Sequence, residues 1–117
     1  MTKERVLEVL YFYERVFNRL VPIATATVPR ISESERVDFP SASPPEILRW
    51  RVILYLHRMI FETRILIRKR DTEKEVSRWL GFMQGALWVI GVFSIDEMRD
   101  HNCQDVPIPK EYDGKVL

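Results

Sequence analysis

Apolar residues recur at helical spacing in four separate stretches of the chain. In the first, Val6, Leu10, Tyr13, Phe17 and Leu20 form a stripe that Leu7, Tyr11, Phe12 and Val16 widen. With Thr2 as N-cap, the pattern predicts a helix from Lys3 to Val21, stopped by Pro22. The rings of Tyr11, Phe12 and Tyr13 cannot all face one partner, so at least one is expected at a second element or an interface.

The second stretch opens with Ser43, Pro44, Pro45 and Glu46: a serine N-cap, proline at the first helical position and a glutamate at the third. The spacing predicts a long helix from Pro44 to about Arg70, roughly 40 Å at 1.5 Å per residue. Ile53, Leu56, Met59, Ile60, Thr63 and Ile67 make its main apolar region. Leu48, Val52 and Leu66 extend the edge of that region, while Ile47, Leu54, Phe61 and Ile65 lie nearly opposite. Such coverage calls for more than one partner, within the monomer or across a dimer.

The third and fourth stretches share their punctuation. Thr72 precedes Glu75 by three residues, as Ser94 precedes Glu97, and both pairs have the spacing of a capping box. Between them Val76, Trp79, Leu80, Met83, Ala86, Leu87 and Ile90 share one broad face. Gly81 and Gly85 fall on the opposite side, where they would let another backbone approach closely. Gly91 and Ser94 separate this central helix from a short one of Ile95 to about His101.

The remainder is less regular. Residues 22–43 hold Pro22, Pro29 and Pro40 and read as an irregular crossover, with a β-compatible run from Ile23 to Val28 as the alternative. Residues 103–117 contain Pro107, Pro109 and Asp113-Gly114 and read as an extended tail, with Val106, Ile108, Tyr112, Val116 and Leu117 able to dock on a groove. The expected architecture over 1–117 is one all-α domain: a small helical bundle with one long helix, a central Gly/Trp helix, a short final helix and a proline-containing crossover.

Composition narrows the function. The chain has 117 residues, is 46% hydrophobic and carries a formal charge of +1. This length permits a core without a metal or disulfide staple. Cys103 is the single cysteine, so no intramolecular disulfide forms, and a reducing compartment is favoured. No secretory signal pattern opens the chain, and the apolar run from Trp79 to Phe93 is too short to span a bilayer. Charge is uneven: residues 44–70 hold seven Lys or Arg against two Glu, and residues 94–117 three against six acidic.

Candidate chemistry is sparse. His57, His101 and Cys103 have no second ligand pair at metal-like spacing, and nothing around Cys103 offers an activating field. Asp96, Glu97 and Asp100 fit helix-start capping and a solvated face. There is no phosphate loop or dinucleotide-binding glycine pattern, so neither enzyme activity nor a cofactor is expected. Arg51, Arg58, Arg64 and Lys69 are the candidates for an acidic partner surface, with phosphate contacts along the same basic helix as the alternative. Trp79 and Trp88 are expected as packing anchors, and Gln84 either bonded inside the scaffold or facing a partner. Leu56, Met59 and Ile60 are the expected interface of a homodimer.

The run Arg78-Trp79-Leu80-Gly81-Phe82-Met83-Gln84-Gly85-Ala86-Leu87-Trp88, followed by Ser94-Ile95-Asp96-Glu97-Met98-Arg99-Asp100-His101-Asn102, resembles small accessory proteins of tailed bacteriophages. The resemblance covers about residues 78–102 and carries no catalytic assignment. It implies a protein in the cytoplasm of an infected bacterium that acts on a phage or host component. With the residue pattern, it gives the expectation of a non-enzymatic accessory protein that binds a host or phage protein, the alternative being a nucleic-acid-binding regulator using the basic 49–70 helix.

Overall fold

Thr2 starts the first helix, its hydroxyl accepting the Arg5 N–H at 3.2 Å. That helix, α1, runs Lys3–Thr27 and is followed by α2 (Pro45–Leu66), α3 (Glu73–Val89) and α4 (Ile95–Asn102). The computed structural model describes residues 1–28, 45–69 and 72–114, and among these there are four helices and no strand. The expected all-α bundle is therefore present. The N-cap proposed at Ser43 and the middle of the crossover lie outside the described residues.

Several boundaries differ from the expected ones for identifiable reasons. Pro22 does not stop α1, which continues to Thr27 and makes it the longest of the four helices. The proline ring is exposed, and the carbonyl that loses its i+4 N–H belongs to Asn18, which is itself exposed to solvent. Continuing the helix buries Ala24 completely, and Val28 donates its N–H to the Ala24 carbonyl at 2.9 Å. The same turn replaces the strand considered for Ile23 to Val28.

At the far end of α2, helical geometry ceases at Leu66 rather than Arg70. Arg68 and Lys69 donate their N–H groups to the carbonyls of Ile65 and Leu66, a tightened last turn. Thr72 does not form the expected capping box. Its hydroxyl turns back to donate to the Leu66 and Lys69 carbonyls at 2.8 and 3.1 Å, closing α2 instead of opening α3.

The second capping box forms as expected. The Ser94 hydroxyl accepts the Glu97 N–H and the Glu97 carboxylate accepts the Ser94 N–H, both at 3.1 Å. Gly91 has φ +82° and ends α3 in a Schellman arrangement. Its N–H reaches the Trp88 carbonyl, and Val92 N–H reaches that of Leu87, with Val92 and Leu87 both buried.

One core joins the elements. Val9, Leu10, Phe12, Tyr13, Val16, Phe17 and Leu20 of α1 are buried with Ile53, Leu56 and Ile60 of α2 and Val76, Leu80, Met83 and Leu87 of α3. Burying each large side chain contributes about 2 kcal/mol. Helix α1 packs most extensively against α2, and α4 lies on α1.

The tail also docks. Arg5, Arg15 and Arg19 of α1 donate to the carbonyls of Val106, Pro109 and Tyr112, so the segment after α4 follows α1 in the same direction. The Tyr112 ring is buried, 5.8 Å from Phe93.

Candidate functional site

Helices α2 and α3 diverge along one side and leave an apolar groove of about 770 Å³. Leu48, Val52, Tyr55 and Leu56 form one wall, and Phe82, Gly85, Ala86, Trp88, Val89 and Ile90 the other. Its rim exposes large apolar groups: Tyr55 is 45%, Phe82 55%, Trp88 51% and Val89 74% accessible. A contiguous patch of that kind marks an interaction surface more often than a scatter of single residues does. Tyr55 and Phe82 face each other edge-on across the groove, ring centroids 6.4 Å apart. Arg49 closes the end near Ile90, where its Nε donates to the Ile90 carbonyl at 3.1 Å and caps α3.

On the other side of the bundle a buried polar cluster joins α1, α3 and α4. The Gln84 amide donates to Tyr13 Oη at 3.0 Å and exchanges two hydrogen bonds with Asn102. Tyr13 Oη lies 2.9 Å from His101 Nδ1. With His101 in its Nε2–H tautomer, the phenol gives its hydrogen to Nδ1 while it accepts from Gln84, and both groups are satisfied. Burial pushes the His101 pKa below its usual value; the nearby Glu97 and Asp100 charges oppose this, and Arg5 reinforces it. Burial raises the Tyr13 phenol well above its ordinary range, against the hydrogen bond from Gln84. Phe12 and Phe93 pack edge-on against the imidazole, at 5.3 and 4.8 Å between centroids.

Arg5 supports this cluster from beneath. It is nearly fully buried, with Nε donating to the His101 carbonyl at 2.8 Å and Nη2 to that of Asp100 at 3.0 Å. A guanidinium from α1 thus caps the C-terminus of α4, where positive charge is favoured. Tyr13, His101 and Arg5 are buried while Asn102 at the edge is exposed, and the hydrogen bonds of the cluster tie three helices together. His101 is buried in this cluster, whereas Cys103 is exposed. No group of His, Cys, Asp and Glu able to hold a metal ion occurs among the described residues.

The candidate basic residues do not act as one surface. Arg64 pairs with Glu14 and lies over the Tyr11 ring, 4.9 Å from its centroid. Arg58 is exposed beside a shallow polar cleft with His57 and Glu62, and Lys69 is exposed beyond the end of α2. Arg51 is half-buried on the groove side of α2, and its Nε has no hydrogen-bond partner among the described residues.

Other expectations need correction. Leu56 and Ile60 are buried in the monomer core and Met59 packs against it, so they are not a free dimer face. Among the described residues, no other element comes within 4 Å of where a Cβ would stand on Gly81 or Gly85, so the expected close approach is not made by them. Trp79 is half-buried, whereas Trp88 is a groove wall rather than an internal anchor. Gln84 takes the internal alternative, bonded to Tyr13 and Asn102. The groove as a unit was missed: its residues are legible as apolar, but which side of α2 stays uncovered depends on where α3 lies.

Among the described residues no helix is long and apolar enough to cross a membrane. Comparison of the chain with protein-family models, curated proteins and solved structures finds no match, and so lends no support to the phage resemblance of residues 78–102.

Proposed function

We propose that the chain is a non-enzymatic accessory protein that binds another protein through the α2/α3 groove and modulates it. The observation that carries this reading is that Tyr55, Phe82, Trp88 and Val89, four of the ten large apolar side chains exposed among the described residues, stand together around one groove. Aromatic residues around an apolar recess are the usual anchors of protein recognition. The phage resemblance supplies the setting within this proposal: the cytoplasm of an infected bacterium, with a host or phage protein as partner. The nucleic-acid alternative draws on the basic helix, of which Arg49 and Arg64 are engaged within the chain.

The test compares the wild-type chain with Val89→Asp, an exposed position, as bait in nuclease-treated bacterial lysate. A stoichiometric protein held by the wild type and lost with the variant is expected. Retention of the same protein by Val89→Asp would move binding away from the groove. Recovery that depends on intact nucleic acid would favour the regulator.

A further inference from the structure

The segment after α4 is held on α1 in a way that depends little on its own sequence. Arg5, Arg15 and Arg19 donate to the carbonyls of Val106, Pro109 and Tyr112, the last two at 3.4 and 2.7 Å. Main-chain oxygens are offered by any peptide. Among the described residues, no main-chain N–H after Val106 is bonded to a main-chain carbonyl. Residues 107–114 belong to no helix or strand, and Pro107 and Pro109 have no N–H to place. The three carbonyls recur at every third residue, the period of a polyproline II helix, which the two prolines favour. From Arg5 to Arg19 the helix axis advances about 21 Å, a distance that the residues from Val106 to Tyr112 match when extended. Side-chain identity enters at few points. The Tyr112 ring is buried against Phe93, and Val106 and Ile108 are half-buried, while Lys110 and Glu111 are exposed.

We infer that this face of α1, together with the ring of Phe93, is a peptide-binding site and that the tail is its resident, displaceable occupant. It takes an extended, proline-containing segment of another protein with apolar side chains at i and i+2 and an aromatic ring at i+6, the pattern of Val106, Ile108 and Tyr112. The tail acts as an intramolecular competitor that keeps the site closed until such a segment displaces it. The site shares no residue with the α2/α3 groove and does not depend on it.

The two ends of the contact differ in how firmly they hold. Arg5 is buried and binds the Asp100, His101 and Val106 carbonyls together, which fixes the start of the segment to α4. Arg15 and Arg19 are exposed, so the anchors beyond Val106 can exchange for water and are the first to open. The same anchoring argues against an exchange of tails between two copies, since only the residues from Pro107 to Tyr112 would be free to reach a second α1. A helical partner segment fits less well, because its carbonyls are already taken by its own N–H groups.

The experiment uses the full chain and a fluorescein-labelled peptide with the sequence of residues 104–114. In the wild type the tail holds the site at the high effective concentration of a tethered ligand, so the peptide should bind weakly by fluorescence anisotropy. Tyr112→Ser in the chain should weaken the tail and tighten peptide binding at least about tenfold. Ile108→Ser, at a half-buried position, should do the same, and circular dichroism checks that each variant keeps its helices. Adding Arg19→Glu, at an exposed site, should remove most of that gain, as should the Tyr112→Ser version of the peptide. Equal binding, or none, by the wild type and the folded tail variants would overturn the inference. A gain that survives Arg19→Glu would place the peptide elsewhere on the chain and overturn it as well.

Discussion

Tyr13 Oη stands 2.9 Å from His101 Nδ1 although 88 residues separate the two in sequence. The phenol is hydrogen-bonded to the imidazole and accepts a hydrogen from Gln84, so one hydroxyl fastens α1 to α4 and to α3. Replacing Tyr13 by Phe leaves Gln84 and His101 each short of a buried partner. The expected cost is about 1–3 kcal/mol in urea denaturation, with no gain from the ring, which is retained.

Burial of the same two groups sets a pH window. The folded-state pKa of His101 lies below its ordinary 6.5, so the folded chain binds fewer protons than the unfolded one. Its contribution is complete above about pH 6.5 and is lost as pH falls through the folded value. Tyr13 has the opposite sign: its folded pKa lies above the ordinary 10.0, so its contribution is present below that pH and is lost as pH rises further. Denaturation midpoints measured against pH should be flat between these limits and fall on both sides. In Tyr13→Phe the alkaline fall should shrink.

Arg5 has a different kind of partner, three main-chain carbonyls. Arg5→Met should cost on the order of 3 kcal/mol because those acceptors lose a buried charged donor. Arg5→Lys should recover little, since an ammonium cannot reproduce the planar fork. Hydrogen exchange should show the loss first at the end of α4 and the start of the tail.

The glycines divide by backbone geometry. Gly91→Ala should destabilise by about 1 kcal/mol or more because φ is +82° and the Schellman turn requires it. Gly81→Ala and Gly85→Ala should each stabilise by up to about 1 kcal/mol, since both are helical and have open space at the Cβ position. Only Gly85 lines the groove. Thermal melts should therefore rise for both, while affinity for the partner protein drops for Gly85→Ala alone.

Arg64→Ala should leave partner binding unchanged. Its guanidinium is occupied by Glu14 and the Tyr11 ring, and the site is partly exposed, so the loss should be within about 1 kcal/mol of stability. A large loss of affinity with unchanged stability would return Arg64 to the binding surface.

What could be read from the sequence depended on how far apart the interacting residues lie. Ser94 with Glu97 and the break at Gly91 are settled within a few residues, and both formed as expected. Thr72 has the same local signature as Ser94, but its hydroxyl found the Leu66 and Lys69 carbonyls once α2 ended early. Pro22 would stop an isolated helix; here burial of Ala24 carries α1 past it. Leu56 and Ile60 were correctly read as apolar, yet sequence could not separate a core from an interface. The uses of Arg5 and Arg49 as helix caps were hidden because their carbonyls belong to distant helices.

The reach of Arg5 also constrains how the chain folds. Its carbonyl partners follow it by 95, 96 and 101 residues. During synthesis the ion-pair partner Glu8 comes with α1, but the carbonyls to which the buried guanidinium donates, and His101 beside Tyr13, are made only with α4 and the segment after it. Until then that face of the helix has nothing to bury against, and contacts of such long sequence separation slow the search for the native state. Completion of the fold is thus deferred until α4 and the segment after it have been made, and a chain interrupted before α4 is left with the Arg5 side of α1 uncovered and open to aggregation or proteolysis.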